Sequence, residues 1–250
     1  MTAKVVKLAE PAEPTIARVL DEFLAEQRAR LRPQALRRYA DVIHLLRGHL
    51  DGYAYESLSK REAALFERRF NAEGAEHREF CELFGPEKIP ENVGGFLGYF
   101  MIRKVSAGPD LLRAAGTVTR KLASWLTAKG YITQEAAGDA AERGTAAARD
   151  LPRADRAARI LYEDAERLDI DVTSLDEQSY FEFDHFTIAR VEPGRLWFEV
   201  WDSGEASELS PIQVPKAATA LLLPGWSISC AVARVRRTWR LLEVANVYPI

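Results

Sequence analysis

The sequence predicts an α+β protein: an all-helical N-terminal bundle followed by a C-terminal small five-stranded β-barrel. Three observations carry that prediction. Up to about residue 168 the apolar residues recur at steps of three and four, the helical repeat. After about Ser179 they fall in short runs rich in Phe, Trp, Val and Ile, separated by turn pairs such as Pro193-Gly194 and Pro224-Gly225. Between the two lies an alanine-rich stretch, 133–149, with few large apolar side chains. With 250 residues, 47% of them hydrophobic and 28% charged, the chain can bury a real core and is not disordered by composition.

Residues 1–13 are expected as a frayed arm. Thr15 is the candidate cap of a first helix carrying Ile16, Val19, Leu20, Phe23 and Leu24 on one face. Arg32-Pro33 breaks it, and a second helix runs from Pro33 to about Leu50 with Leu36, Tyr39, Ile43, Leu46 and Leu50 inward. Ser59 and Glu62 have capping-box spacing and start a helix with Leu65, Phe66 and Phe70. A short helix holds Phe80, Cys81, Leu83 and Phe84 and stops at Gly85-Pro86. Pro90 opens the next, with Val93, Phe96, Leu97, Phe100 and Met101 on one face. Gly94 and Gly98, four apart, suggest close helix contact.

The stretch from Phe96 to Ile132 turns at Ser106-Ala107-Gly108-Pro109-Asp110. Pro109 suits the first turn of the following helix, and Gly130 suits its stop. Leu111, Ala115, Val118, Leu122 and Trp125 form an apolar stripe. Arg113, Thr117, Arg120 and Ser124 repeat on roughly the opposite face, bordered by Lys121. The alanine-rich segment 133–149 reads as a solvated helix or linker. After Pro152 an amphipathic helix carries Ala154, Ala158, Leu161, Ala165 and Leu168. The organisation expected is therefore a helical module over 1–132 with an acidic helical insert near 51–91, a helical linker over 133–178, and the barrel over 179–250.

In the barrel the strands expected are Phe181 to Val191, Leu196 to Trp201, Pro211 to Val214, Trp226 to Val235 and Trp239 to Val247. Asp202-Ser203-Gly204 is a turn, Lys216 to Leu222 a helical turn, and Arg236-Arg237-Thr238 a hairpin tip. Five short strands with a helical piece after the third fit an OB-like barrel, with an SH3-like barrel as the rival.

Charge is distributed unevenly. The whole chain carries 34 Lys and Arg against 37 Asp and Glu, so a nucleic-acid footprint must come from local patches. Residues 14–50 hold seven arginines against four acids, and residues 103–130 six Lys and Arg against one acid. Residues 51–91 hold ten acids against six bases. A buried stripe backed by a basic stripe suits a helix lying on a polyanion, although a solvated surface helix shows the same residues. The tip residues Arg234, Arg236, Arg237 and Arg240 admit the same two readings.

Other chemistry has little support in the residues. Cys81 and Cys230 lie far apart and read as reduced thiols, not as a disulfide or metal pair. Asp169, Asp171, Asp176 and Glu177 lack the glycine and closing glutamate of an EF-hand loop. His44, His49, His77 and His185 are scattered and read as surface or satisfied core histidines. No G-x-S-x-G elbow, P-loop or dinucleotide fingerprint occurs, so a non-enzyme without cofactor or metal is expected. Trp197, Trp201, Trp226, Trp239, Phe181, Phe183 and Phe186 offer stacking faces for bases, or else a small aromatic core. No apolar run is long enough for a signal peptide or a membrane span, and a cytoplasmic protein is expected.

Phe23-Leu24 through Arg37-Arg38-Tyr39, then Phe96-Leu97-Gly98-Tyr99-Phe100, then Leu122-Ala123-Ser124-Trp125-Leu126 with Lys129-Gly130-Tyr131-Ile132, resemble the SAM-like core-binding domain of phage integrases and other tyrosine recombinases. The resemblance spans roughly 15–132. It implies a SAM-like helical module that grips duplex DNA. The recombinases' catalytic His-x-x-Arg pair is not found: the histidine after the helical half, His185, is followed at position 188 by Ile188. The expected function is non-catalytic nucleic-acid binding, duplex DNA above all. Its candidate residues are Arg37, Arg38, Arg113, Arg120, Lys121, Lys129, Arg234, Arg236 and Arg237. The alternative is a protein–protein interaction module that uses the acidic 51–91 segment and the barrel surface.

Overall fold

The structure, a computed structural model, describes residues 11–168, 170, 180–202 and 205–249. The expected arm falls mostly outside these residues. So do Asp169, Asp171, Asp176, Glu177 and the Ser203-Gly204 turn. The chain forms N-terminal helices followed by a closed five-stranded β-barrel, the α+β arrangement expected. It divides into two compact units, 1–96 with 114–145, and 97–113 with 146–250.

In the first unit, α1 (Ile16–Arg28) begins where the Thr15 hydroxyl accepts the Arg18 backbone N–H at 3.3 Å. It buries Ile16, Val19, Leu20 and Phe23. α2 (Pro33–Tyr53) packs beside it, and Arg47 ties the pair by donating to the Ala17 carbonyl and to Asp21. α3 (Lys60–Phe70) starts on a complete capping box: Glu62 N–H donates to the Ser59 hydroxyl, and Ser59 N–H donates back to the Glu62 carboxylate at 2.9 Å. The Ser59 hydroxyl and then Lys88 hold the Glu62 carboxyl down to a pKa of about 2. α4 (Phe80–Leu83) inserts Phe80 and Phe84 against Phe66, and its Cys81 N–H donates to Asp51 of α2 at 2.8 Å.

α5 (Lys88–Gly95) runs into a π-helical turn, Phe96–Phe100, and a last helical turn, α6 (Met101–Arg103). It begins two residues before the expected Pro90. α7 (Pro109–Ala128) stops in a Schellman motif. Tyr131 N–H reaches the Leu126 carbonyl, Gly130 N–H reaches that of Thr127, and Gly130 takes a φ of 76°. Its buried face is wider than the stripe expected: Leu112, Ala115, Val118, Thr119, Leu122, Ala123, Trp125 and Leu126 are buried, while Leu111 is only half-buried.

The alanine-rich segment behaves differently from the expectation. Residues 133–149 and the helix after Pro152 are one helix, α8 (Gln134–Glu166), which passes through Pro152. Within the first unit it buries Ala137, Ala140 and Gly144. Small side chains bury little area each but let backbones approach. A Cβ built on Gly144 would stand 2.8 Å from both the Gly116 carbonyl oxygen and the Arg120 nitrogen of α7, closer than any side chain tolerates. Of the glycines expected to mark close contact, Gly94 meets α8 less tightly: a Cβ there would come within 3.3 Å of the Arg143 guanidinium.

In the second unit the strands are β1 (Tyr180–Glu192), β2 (Arg195–Asp202), β3 (Glu205–Gln213), β4 (Ser227–Val235), β5 (Thr238–Leu242) and β6 (Val247–Tyr248). The third strand is longer than expected, and the last run is two strands with a break at 243–246. The order is β1-β2-β3-β5-β4, closed by β1–β4, with β3 and β5 parallel and β6 added to β4. A short helix, α9 (Lys216–Thr219), lies in the β3–β4 connection, which is the OB-like arrangement. Ile188, Leu196, Phe198, Ile212, Ile228, Cys230, Val232 and Leu241 share one core with Ala154, Ala157 and Leu161 of α8. Both cysteines are free and buried, and burial pushes their thiols up in pKa. No helix among the described residues is long and apolar enough to cross a membrane.

His49 is a core histidine. It is 4% exposed, lies between the rings of Tyr53 and Phe96, and a Cβ on Gly95 would come within 3.2 Å of it. Burial holds its pKa down to about 4, while a hydrogen bond to the Asn92 backbone acts in the opposite direction. The unfolded chain protonates this ring near the ordinary value of about 6.5. The stability from keeping it neutral is therefore complete above pH 6.5 and is lost as pH falls from 6.5 to 4. The loss is on the order of 3 kcal/mol at most. Urea midpoints measured across that window should fall steeply for the wild type and stay flatter for His49→Gln. Parallel slopes would contradict this account.

Candidate nucleic-acid interface

The helical unit places its expected cations by a small aromatic junction. Phe23 of α1 stacks on Tyr39 of α2 with ring centroids 6.1 Å apart and meets Trp125 of α7 edge-on at 5.4 Å. The Trp125 indole N–H donates to the Glu26 carboxylate at 2.8 Å. Arg120, further up α7, is near enough for its charge to act on the Tyr39 hydroxyl against the effect of burial. The C-terminal half of α1, the N-terminal part of α2 and the C-terminal half of α7 therefore meet.

Of the seven arginines in 14–50, Arg18 pairs with Glu13 and Arg47 with Asp21. The other five, Arg28, Arg30, Arg32, Arg37 and Arg38, fall within eleven residues with no acid between them. All five are exposed. Arg28, Arg30, Arg32 and Arg37 make no ion pair among the described residues. Sequence reasoning singled out only Arg37 and Arg38, because the balance over 14–50 averages this corner with the acids of α1. The signal was present: five arginines and no carboxylate around the α1–α2 turn. Arg32 also stands at an α2 N-terminus with no side-chain cap and no acid in its first turn, so α2 itself brings no negative group to that positive helix end.

On α7, Arg120 and Lys121 are exposed and unpaired among the described residues, and Ser124 continues their face. Arg113, two turns before Arg120, is exposed but reaches Asp110 at 3.6 Å. Lys129 departs from its expected role. Its ammonium lies 2.8 Å from Glu22 and 2.5 Å from Glu26, and over the Trp125 ring. The hydrogen bonds it donates to Glu22 and Glu26 raise its pKa and lower both of theirs. Tyr131 donates to Glu22 as well. Lys129 is thus a structural cation that neutralises the acids of α1, and the Arg30 charge acts on Glu26 as well.

The acidic segment pairs four of its ten acids within itself. Glu62 and Glu91 pair with Lys88, Glu76 with Arg69, and Glu79 with His77. Its other feature is aromatic: Tyr55 and Phe70, both more than 40% exposed, flank Phe66 at 6.4 and 5.3 Å.

The barrel aromatics are mostly core. Trp197 and Trp226 are buried, each under an arginine, Arg190 at 3.8 Å and Arg153 at 5.6 Å. Phe181, Phe186 and Trp239 pack on the core from partly buried positions, Phe183 is exposed, and the side chain of Trp201 lies outside the described residues. Arg234, Arg236 and Arg237 are exposed on the β4–β5 hairpin. The second unit also holds a trough of about 670 Å³ lined by Met101, Leu112, Leu151, Ala154 and Tyr162, with Asp155 and Arg159 paired to each other at 2.9 Å on its wall. Among the described residues no three His, Cys, Asp or Glu side chains are grouped to hold a metal.

No family model, curated protein or solved structure matches the chain, so the likeness to integrase core-binding domains rests on its motifs alone.

Proposed function

We propose that this protein is a non-catalytic nucleic-acid-binding protein that holds duplex DNA against the helical surface around the α1–α2 corner and α7. The observation that carries the reading is the set of exposed arginines that make no ion pair among the described residues, Arg28, Arg30, Arg32, Arg37 and Arg120, joined by Lys121, on elements fixed together by one aromatic junction. Guanidinium groups on a rigid helical corner neutralise phosphates and fix position on a duplex without reading its sequence. Three of the ten acids of 51–91, Glu62, Glu76 and Glu91, are ion-paired with Lys88 or Arg69 of their own segment.

Mobility shifts with a random-sequence duplex at two salt concentrations test it. Arg120→Glu/Lys121→Glu should bind about tenfold or more weakly. Arg28→Ala/Arg30→Ala/Arg32→Ala should flatten the salt dependence by about 0.9 for each phosphate that the variant leaves unneutralised. Wild-type affinity and slope in both variants would reject the surface.

The alternative, contact with another protein, has Tyr55 and Phe70 in its favour, two exposed rings on one acidic segment. That reading expects a protein cross-linked in cells to the wild type and to Arg120→Glu/Lys121→Glu but absent from Tyr55→Ser/Phe70→Ser. Identical cross-linking in all three would eliminate it.

A further inference from the structure

The β4–β5 hairpin closes on two residues. Val235 pairs with Thr238, leaving Arg236 and Arg237 as the whole turn. Their φ angles are 48° and 72°, both in the left-handed region, as a type I′ turn requires. Such turns favour Asn-Gly or Asp-Gly, because a Cβ in that region crowds the next carbonyl. Two successive arginines are therefore a strained choice. Nothing in the fold compensates for it: both side chains are exposed and have no carboxylate, carbonyl or ring partner among the described residues. Arg234, two residues before the turn and opposite Trp239, is exposed in the same way.

The contrast with the barrel's other arginines sharpens the point. Arg190 reaches Glu192 and Glu208 at 3.5 and 3.6 Å, Arg195 reaches Glu192 at 3.6 Å, and Arg240 holds Asp164 at 3.0 Å. Unpaired arginines of the barrel are confined, among the described residues, to one hairpin end. Strain kept at an exposed tip, in residues whose only chemistry is positive charge and planar donation, points to a ligand.

We infer that Arg234, Arg236 and Arg237 form a second contact for a phosphodiester backbone, separate from the helical surface, and that the arginines of the turn are retained for binding at a cost in stability. The ligand class rests on the nucleic-acid reading above, but the site stands on its own residues. The test is Arg236→Asn/Arg237→Gly, which supplies the residues the turn prefers and removes two charges. Thermal melting should show a midpoint raised by about 2–4 °C. Fluorescence anisotropy with a labelled duplex, and separately with one of its strands, should show affinity lowered several-fold on at least one of them. The corresponding salt slope should fall by about 1.8 on the duplex or about 1.4 on the single strand. A raised midpoint with unchanged binding to both nucleic acids would overturn the contact, and an unchanged or lowered midpoint would overturn the strain argument. Arg120→Glu/Lys121→Glu, measured alongside, separates the two sites. If it alone loses binding, the hairpin inference fails and the helical reading stands. If the hairpin variant alone loses binding, the reverse holds. If the wild type binds neither nucleic acid, both fail.

Discussion

The helical unit depends on Trp125. One side chain closes three helices: its ring meets Phe23 of α1, Phe23 carries Tyr39 of α2, and its indole N–H is satisfied by Glu26. A buried indole needs such an acceptor, because an unpaired donor in a core costs about 1–3 kcal/mol. The Schellman stop at Gly130 then turns the chain so that Tyr131 packs on Trp125 and donates to Glu22. Lys129 sits between the two glutamates and over the indole. The residues that finish the helix also fix the charge of its surroundings. Glu22 and Glu26 hydrogen-bond Lys129, Tyr131 and Trp125, and the arginines of the adjacent corner are exposed.

α8 works by the opposite means. It has few large side chains in its first half, and its buried positions are Ala137, Ala140, Gly144 and Ala147. Close approach replaces area: at Gly144 there is no room for a methyl group between the α8 backbone and that of α7. Further along, Asp150 is buried with both carboxylate oxygens held by Arg149, at 2.9 and 2.7 Å, and Arg153 nearby at 3.4 Å. A buried carboxylate without such partners would be strongly destabilising. The second half of the same helix contributes Ala154, Ala157 and Leu161 to the barrel core. One long helix thus serves a tight helix contact in one unit and a sheet in the other.

Much of this was legible in the sequence. Thr15, the Ser59–Glu62 box and Gly130 announced helix ends because caps depend on one or two local side chains. Alternation and turn pairs located the barrel strands, since each strand repeats its own pattern. What escaped depends on neighbours distant in sequence. The small side chains of 133–149 read as a solvated helix or linker, and only the facing backbone of α7 at Gly144 makes that helix a contact surface. Lys129 looked like one more surface cation, because Glu22 and Glu26 lie over a hundred residues away. Of the candidate residues, Arg37, Arg38, Arg120 and Lys121 are exposed on the helical unit, while the neighbouring exposed Arg28, Arg30 and Arg32 were hidden by averaging a basic corner with an acidic helix.

The central claim is that the arginines of 28–38 and Arg120 form one uncovered surface that meets phosphates. Arginine-selective labelling with phenylglyoxal, read by mass spectrometry with and without duplex DNA, addresses those side chains directly. The account predicts that Arg28, Arg30, Arg32, Arg37 and Arg120 lose reactivity when the duplex binds, while the exposed Arg61 and Arg68 of the acidic segment keep theirs. Bound duplex that leaves the first set fully reactive would contradict it.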